Sequence, residues 1–105
     1  MKTQTQAHLL VMYPVPKDPK AFDRAYREEH LPYAGPRLAG ALSVVSKRVA
    51  GTGARYYAIS DVTFPSIEAL QEVAASTRGK EALEHAASIS SGGAPTIVVL
   101  TDDFA

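Results

Sequence analysis

The chain has 105 residues, enough for one domain and too few for two separate cores. A hydrophobic fraction of 46% marks a chain that folds, and eleven basic residues balance eleven acidic ones, which excludes the basic excess of a nucleic-acid or anionic-membrane surface. There is no cysteine, which excludes disulfides, thiolate metal sites and a cysteine nucleophile. No apolar run approaches the ~18 residues of a membrane span. The start, MKTQTQ, lacks the apolar core of a signal peptide, so the expected location is the cytoplasm.

Met1 to Gln6 is polar and reads as a frayed end. Ala7 to Tyr13 is a near-continuous apolar run, the mark of a strand covered on both faces, and Pro14 and Pro16 end it. Asp18 is a suitable N-cap with Pro19 at the first helical position. Phe22, Tyr26 and His30 then recur every four residues and form one stripe, with Asp23 and Arg27 as a surface pair. Pro32 disfavours helical geometry at Leu31, so the helix is expected to stop there, leaving an imidazole at its C-terminal end. Pro32 to Gly40 reads as a loop or one irregular helical turn.

Ala41 to Ala50 alternates as a strand, Gly51 to Gly53 is turn material, and Arg55 to Phe64 is the returning strand of a hairpin. In that strand Tyr56, Ala58, Ser60, Val62 and Phe64 are expected on one face and Tyr57, Ile59, Asp61 and Thr63 on the other. Ser66 can cap a second helix whose buried stripe is Ile67, Leu70, Val73 and Ala74. Arg78-Gly79 breaks or kinks it, and Lys80 to Ile89 continues with Leu83, Ala86 and Ala87 inward. SSGGA connects to the strand Thr96 to Leu100. The order is β-α-β-β-α-β, a ferredoxin-like α+β fold with a four-stranded antiparallel sheet. Three of its strands carry apolar residues on both faces, so a homodimer with sheets packed face to face is expected.

His30 has two readings. It is a general acid/base or hydrogen-bond donor beside a cavity, or a helix cap binding a free carbonyl, in which case the helix end favours the imidazolium and raises its pKa. Asp61 interrupts an apolar strand and needs a partner: His30, in a base-plus-orienter pair, or alternatively an Arg or solvent. Tyr13, Tyr26, Tyr33 and Tyr57, with Tyr56, either orient an oxygenated ligand in a pocket or serve as core and interface side chains. His8 opens a strand, and His85, among Glu81, Glu84 and Ser88, reads as a surface residue. No metal-binding histidine spacing, Gly-rich phosphate loop or nucleophile elbow is present, so no metal or cofactor is expected.

The first strand ending in YP, the D-P-x-x-F-D-x-x-Y-x-x-x-H-x-P helix, the hairpin with SDVTF and the following SIEALQ resemble the EthD-like family of dimeric α/β-barrel proteins over most of the chain. That family takes its name from a gene cluster for ethyl tert-butyl ether degradation. Relatives in the wider group include antibiotic-biosynthesis monooxygenases, polyketide cyclases and muconolactone isomerases. They often work without a metal or organic cofactor, through His, Tyr or Asp in a pocket. The resemblance implies that His30 is the family's histidine and Asp61 its strand acid. Pro65 departs from the polar residue common at that position, which bears on the helix cap. The implied function is a small cofactor-independent enzyme, of oxygenase, cyclase or isomerase type, or an accessory protein of an oxidative or biosynthetic pathway. It would act on an apolar oxygenated small molecule between sheet and helices. A non-catalytic carrier and a dimeric scaffold are the alternatives.

Overall fold

The computed structural model describes residues 5–51 and 53–104. Residues 1–4 of the expected frayed end, and Thr52 of the expected turn, lie outside the described residues. The elements run β1 (Ala7–Pro14), α1 (Pro19–Ala25), a π-helical turn (Tyr26–His30), α2 (Leu31–Arg37), β2 (Ser43–Arg48), β3 (Tyr56–Phe64), α3 (Ile67–Ala75), α4 (Thr77–Ser88) and β4 (Thr96–Leu100). The sheet order is β2-β3-β1-β4 with every neighbouring pair antiparallel, the ferredoxin-like arrangement expected from the element order.

Helices cover one face of this sheet. Ala7, Leu9, Val11 and Tyr13 of β1 point into them, and Ser60, Val62 and Phe64 of β3 join on the same side. Ala7, Leu9, Val62, Phe64 and Leu70 form one buried cluster, and Val11, Tyr13, Phe22 and Ala86 form a second. The alternate residues His8, Leu10 and Met12 point to the opposite face, which carries no helix.

The two caps read from sequence are in place. Ala21 N donates to Asp18 Oδ1, and Ala69 N donates to Ser66 Oγ, so Pro65 leaves the second cap intact. Asp23 does not pair with Arg27. It accepts from Arg48 and from the Tyr57 hydroxyl at 2.9 Å, while Arg24 pairs with Glu28.

Pro32 does not stop the helix. The backbone widens into the π-turn over Tyr26–His30 and continues as α2 with Pro32 in its first turn. Proline lacks a donor and its ring crowds the preceding turn, and a wide turn ahead of it removes both conflicts. The segment expected to be a loop or one irregular helical turn is therefore largely helical, as α2 through Arg37.

Between α3 and α4 the break falls at Ser76, whose Oγ accepts from Gly79 N at 3.0 Å. Gly79 is inside α4, because a Cβ there would stand 1.9 Å from the Val73 carbonyl oxygen. Ala82 and Ala86 face inward from α4 as its buried alanines, whereas Ala87 is exposed.

Candidate functional site

A cavity of about 210 Å³ lies between the sheet and the helices. Leu9 and Val11 of β1 and Ser60 and Val62 of β3 form its floor, Ala34, Gly35 and Leu38 one wall, and Ala82, Leu83 and Ala86 of α4 another. Tyr13, Tyr26 and His30 close one end, and the exposed Leu31 and Val44 sit at its edge. The small residues on α2 and α4 are what leave this space: alanine and glycine stand where leucines would fill a core.

The polar side chains lining the cavity are those of Tyr13, Tyr26, His30 and Ser60. Tyr13 is 1% exposed, and its ring packs edge-on against Phe22 and Tyr26 at centroid distances of 5.1 and 5.8 Å. Its hydroxyl is buried and has no hydrogen-bond partner among the described residues. Burial, with Tyr26 second, holds that phenol well above the usual range, so it stays protonated and is a donor. The Tyr26 hydroxyl bonds to Ser46 and Ser60, which ties the π-turn to β2 and β3.

His30 is buried, 7% exposed, and is not a cap: the helix runs through it and its Nδ1 lies 2.9 Å from Nδ1 of His85 on α4. Burial, reinforced by His85, pushes His30 down to about 4, opposite to the rise expected at a helix end. It is thus neutral at pH 7, with Nε2 as its remaining ring nitrogen.

Asp61 and His30 are not brought together. Asp61 stands opposite Leu10 on the uncovered sheet face, and its Oδ1 lies 2.8 Å from His8 Nδ1. Thr63 Oγ1 is 3.2 Å from the same His8 nitrogen. Tyr57 also leaves its expected face. A register shift between Tyr13 and Pro14 skips Tyr57, so Tyr56 pairs with Pro14 and reaches Thr96, while Tyr57 packs edge-on against Phe22 and binds Asp23. Tyr57 is thus on the helix side of the sheet, held against α1 and absent from the cavity wall. Tyr33 lies against His85, centroids 4.7 Å apart, rather than in the cavity.

The residue that sequence reasoning missed is His85. The signal was available in α4: His85 follows the buried Ala82 by three positions and precedes Ala86 by one, so it borders the inward face. No cluster of residues suited to a metal ion occurs among the described residues, and no helix among them is long and apolar enough to cross a membrane.

No protein-family model matches the chain, and no curated protein matches it in sequence. Solved structures do. An EthD-family protein from Bacillus halodurans superposes with a TM-score of 0.81 at 22% identity, covering 93% of this chain and 99% of that one. A dimeric ferredoxin-like protein of unknown function from Jannaschia gives 0.62 at 20% identity, covering 91% and 97%. A hydroxynitrile lyase from Passiflora edulis gives 0.70 at 8% identity, covering 99% and 98%. The fold is that of EthD-family and dimeric ferredoxin-like proteins, as the sequence resemblance implied. A shared fold does not carry a reaction with it.

Proposed function

We propose that this protein is a small cofactor-independent enzyme that binds one apolar molecule bearing a hydroxyl or carbonyl oxygen and moves a proton on it. The observation that carries this reading is that two residues lining a largely apolar cavity bring it a neutral imidazole, His30, and a buried hydroxyl without a partner among the described residues, Tyr13. A buried donor without a partner costs about 1–3 kcal/mol, and a ligand oxygen within reach removes that cost. The volume of about 210 Å³ exceeds the roughly 150 Å³ that admits benzene in an engineered apolar cavity.

Tyr13 serves as the donor to the ligand oxygen in this reading. His30 serves as the base, because an imidazole kept neutral by its surroundings has a free lone pair at pH 7. The apolar floor excludes water, which strengthens both interactions. Asp61, on the far sheet face, has no part in the chemistry; neither does Tyr57, which braces α1 through Asp23. Tyr26 sets the position of the π-turn, and Tyr33 acts only through His85. A hydroxynitrile lyase among the fold neighbours is in line with a small oxygenated substrate. The protein is further proposed to be a cytoplasmic homodimer joined through the helix-free sheet face, in line with neighbours described as dimeric.

The test is a ligand screen of apolar alcohols, ketones and phenols by native mass spectrometry, followed by turnover assays on each ligand. Binding that falls at least tenfold in His30→Ala and Tyr13→Phe supports the reading. Binding without any chemical change to the ligand makes the protein a carrier, and no binding by any of these compounds removes the reading.

A further inference from the structure

The two Nδ1 atoms of His30 and His85 are 2.9 Å apart, the ring planes differ by 9°, and the centroids are 5.2 Å apart. The nitrogen separation plus the two ring radii account for the whole centroid distance. The rings therefore lie end to end in nearly one plane rather than over one another, and the N–H···N bond between them is close to straight. Two neutral imidazoles can make this bond only if one nitrogen carries the proton and the other the lone pair.

The pair also has direction. His30 is buried and borders the cavity, whereas His85 is half-exposed and does not line it. The Tyr33 ring lies on His85 at 4.7 Å, the Arg37 guanidinium sits 3.6 Å above Tyr33, and Glu81 pairs with Arg37. This stack holds the outer ring in the plane of the inner one. Glu84, beside His85 on α4, is exposed.

We propose that His30 and His85 form a proton relay between the cavity and the solvent, with His85 as the positioning residue through which His30 exchanges its proton with water. The inference rests on the proposed function for its cavity ligand. A ligand O–H gives its proton to His30 Nε2. The proton on His30 Nδ1 passes to His85 Nδ1, and the proton on His85 Nε2 passes to a water molecule. One proton leaves the ligand, one reaches water, and both rings end neutral with their tautomers reversed. The reverse passage resets them. A base so connected need not hold a charge inside an apolar cavity, which its position disfavours.

The experiment uses 4-nitrophenol as a chromogenic ligand of the intact protein. After a pH jump, the absorbance of the bound phenol reports how fast it ionises. His85→Ala is expected to slow that relaxation at least tenfold with the dissociation constant unchanged, and free imidazole is expected to restore it. An unchanged relaxation overturns the relay and leaves the cavity reading standing. Failure of 4-nitrophenol to bind counts against the cavity reading instead, and the relay is then decided without ligand by 15N NMR. A coupling between the two Nδ1 atoms, with tautomer-averaged shifts on both rings, supports it. Two fixed, uncoupled tautomers overturn it.

Discussion

His8 Nδ1 and Asp61 Oδ1 pair at 2.8 Å in the middle of the sheet face that no helix covers. Leu10, Met12, Val45, Ile59, Val98 and Leu100 share that face with them by register, and Val45 and Leu100 remain 48% and 46% exposed in one chain. A polar pair ringed by apolar side chains fits an interface, where an Asp without a partner would be costly.

The first prediction follows from that face. The wild-type protein is expected to sediment at twice 11.2 kDa at micromolar concentration. Val45→Lys places an ammonium opposite Asp61 in the β2–β3 register, so the single chain keeps its fold while the face loses self-complementarity. The variant is expected to sediment as a monomer with its far-ultraviolet circular dichroism unchanged. Wild type and variant both running as monomers would remove the interface.

Two glycines on the helices are expected to respond unequally. Gly35 is in α2 beside the cavity, and a Cβ there meets nothing within 4 Å. Gly35→Ala gains up to about 1 kcal/mol of helix propensity, but its Cβ crowds the ring of Pro36, so stability should change by less than about 1 kcal/mol. Gly79→Ala drives a Cβ to 1.9 Å from the Val73 carbonyl and must push α3 from α4, at about 1–3 kcal/mol. Urea midpoints of the two variants check the difference.

Tyr13→Phe separates stability from binding. The hydroxyl has no partner among the described residues, so removing it relieves a desolvated donor and should leave stability equal to wild type or raise it by about 1–3 kcal/mol. Affinity for an oxygenated ligand should drop about tenfold, or about 1.4 kcal/mol. A variant that melts several degrees lower would mean that the hydroxyl is satisfied in solution.

These sites differ in how far the chain disclosed them. The burial alternation of β1, the caps at Asp18 and Ser66 and the stripe from Phe22 to His30 are local signals, and local chemistry settles them. The continuation through Pro32 was hidden, because a π-turn leaves no compositional mark and the usual effect of proline is to end a helix. The partner of Asp61 was hidden for a different reason. Asp61 stands on the face that alternation gives it, but alternation does not say which face the helices cover, and that decides between His30 and His8; the bulge displaces only Tyr56 and Tyr57. His85 was obscured because centring the inward face of α4 on Leu83, Ala86 and Ala87 rather than on the buried Ala82 and Ala86 turns His85 to the far side.

The last prediction concerns pH. His30 titrates at about 4 in the folded protein and at its ordinary value of 6.5 in the unfolded chain, chiefly because burial disfavours the imidazolium. Between those values the unfolded chain holds the extra proton, so stability rises with pH across the window. The contribution of His30 is complete above 6.5 and is lost as pH falls toward about 4, a loss of about 3 kcal/mol. His30→Leu fills the same site with a group that does not titrate. Urea unfolding at pH 4, 5, 6 and 7 should therefore show a wild-type slope that the variant lacks, the two curves differing in their change over that range by about 3 kcal/mol. Parallel curves would place the imidazole in water, and with it both the base and the inner end of the relay.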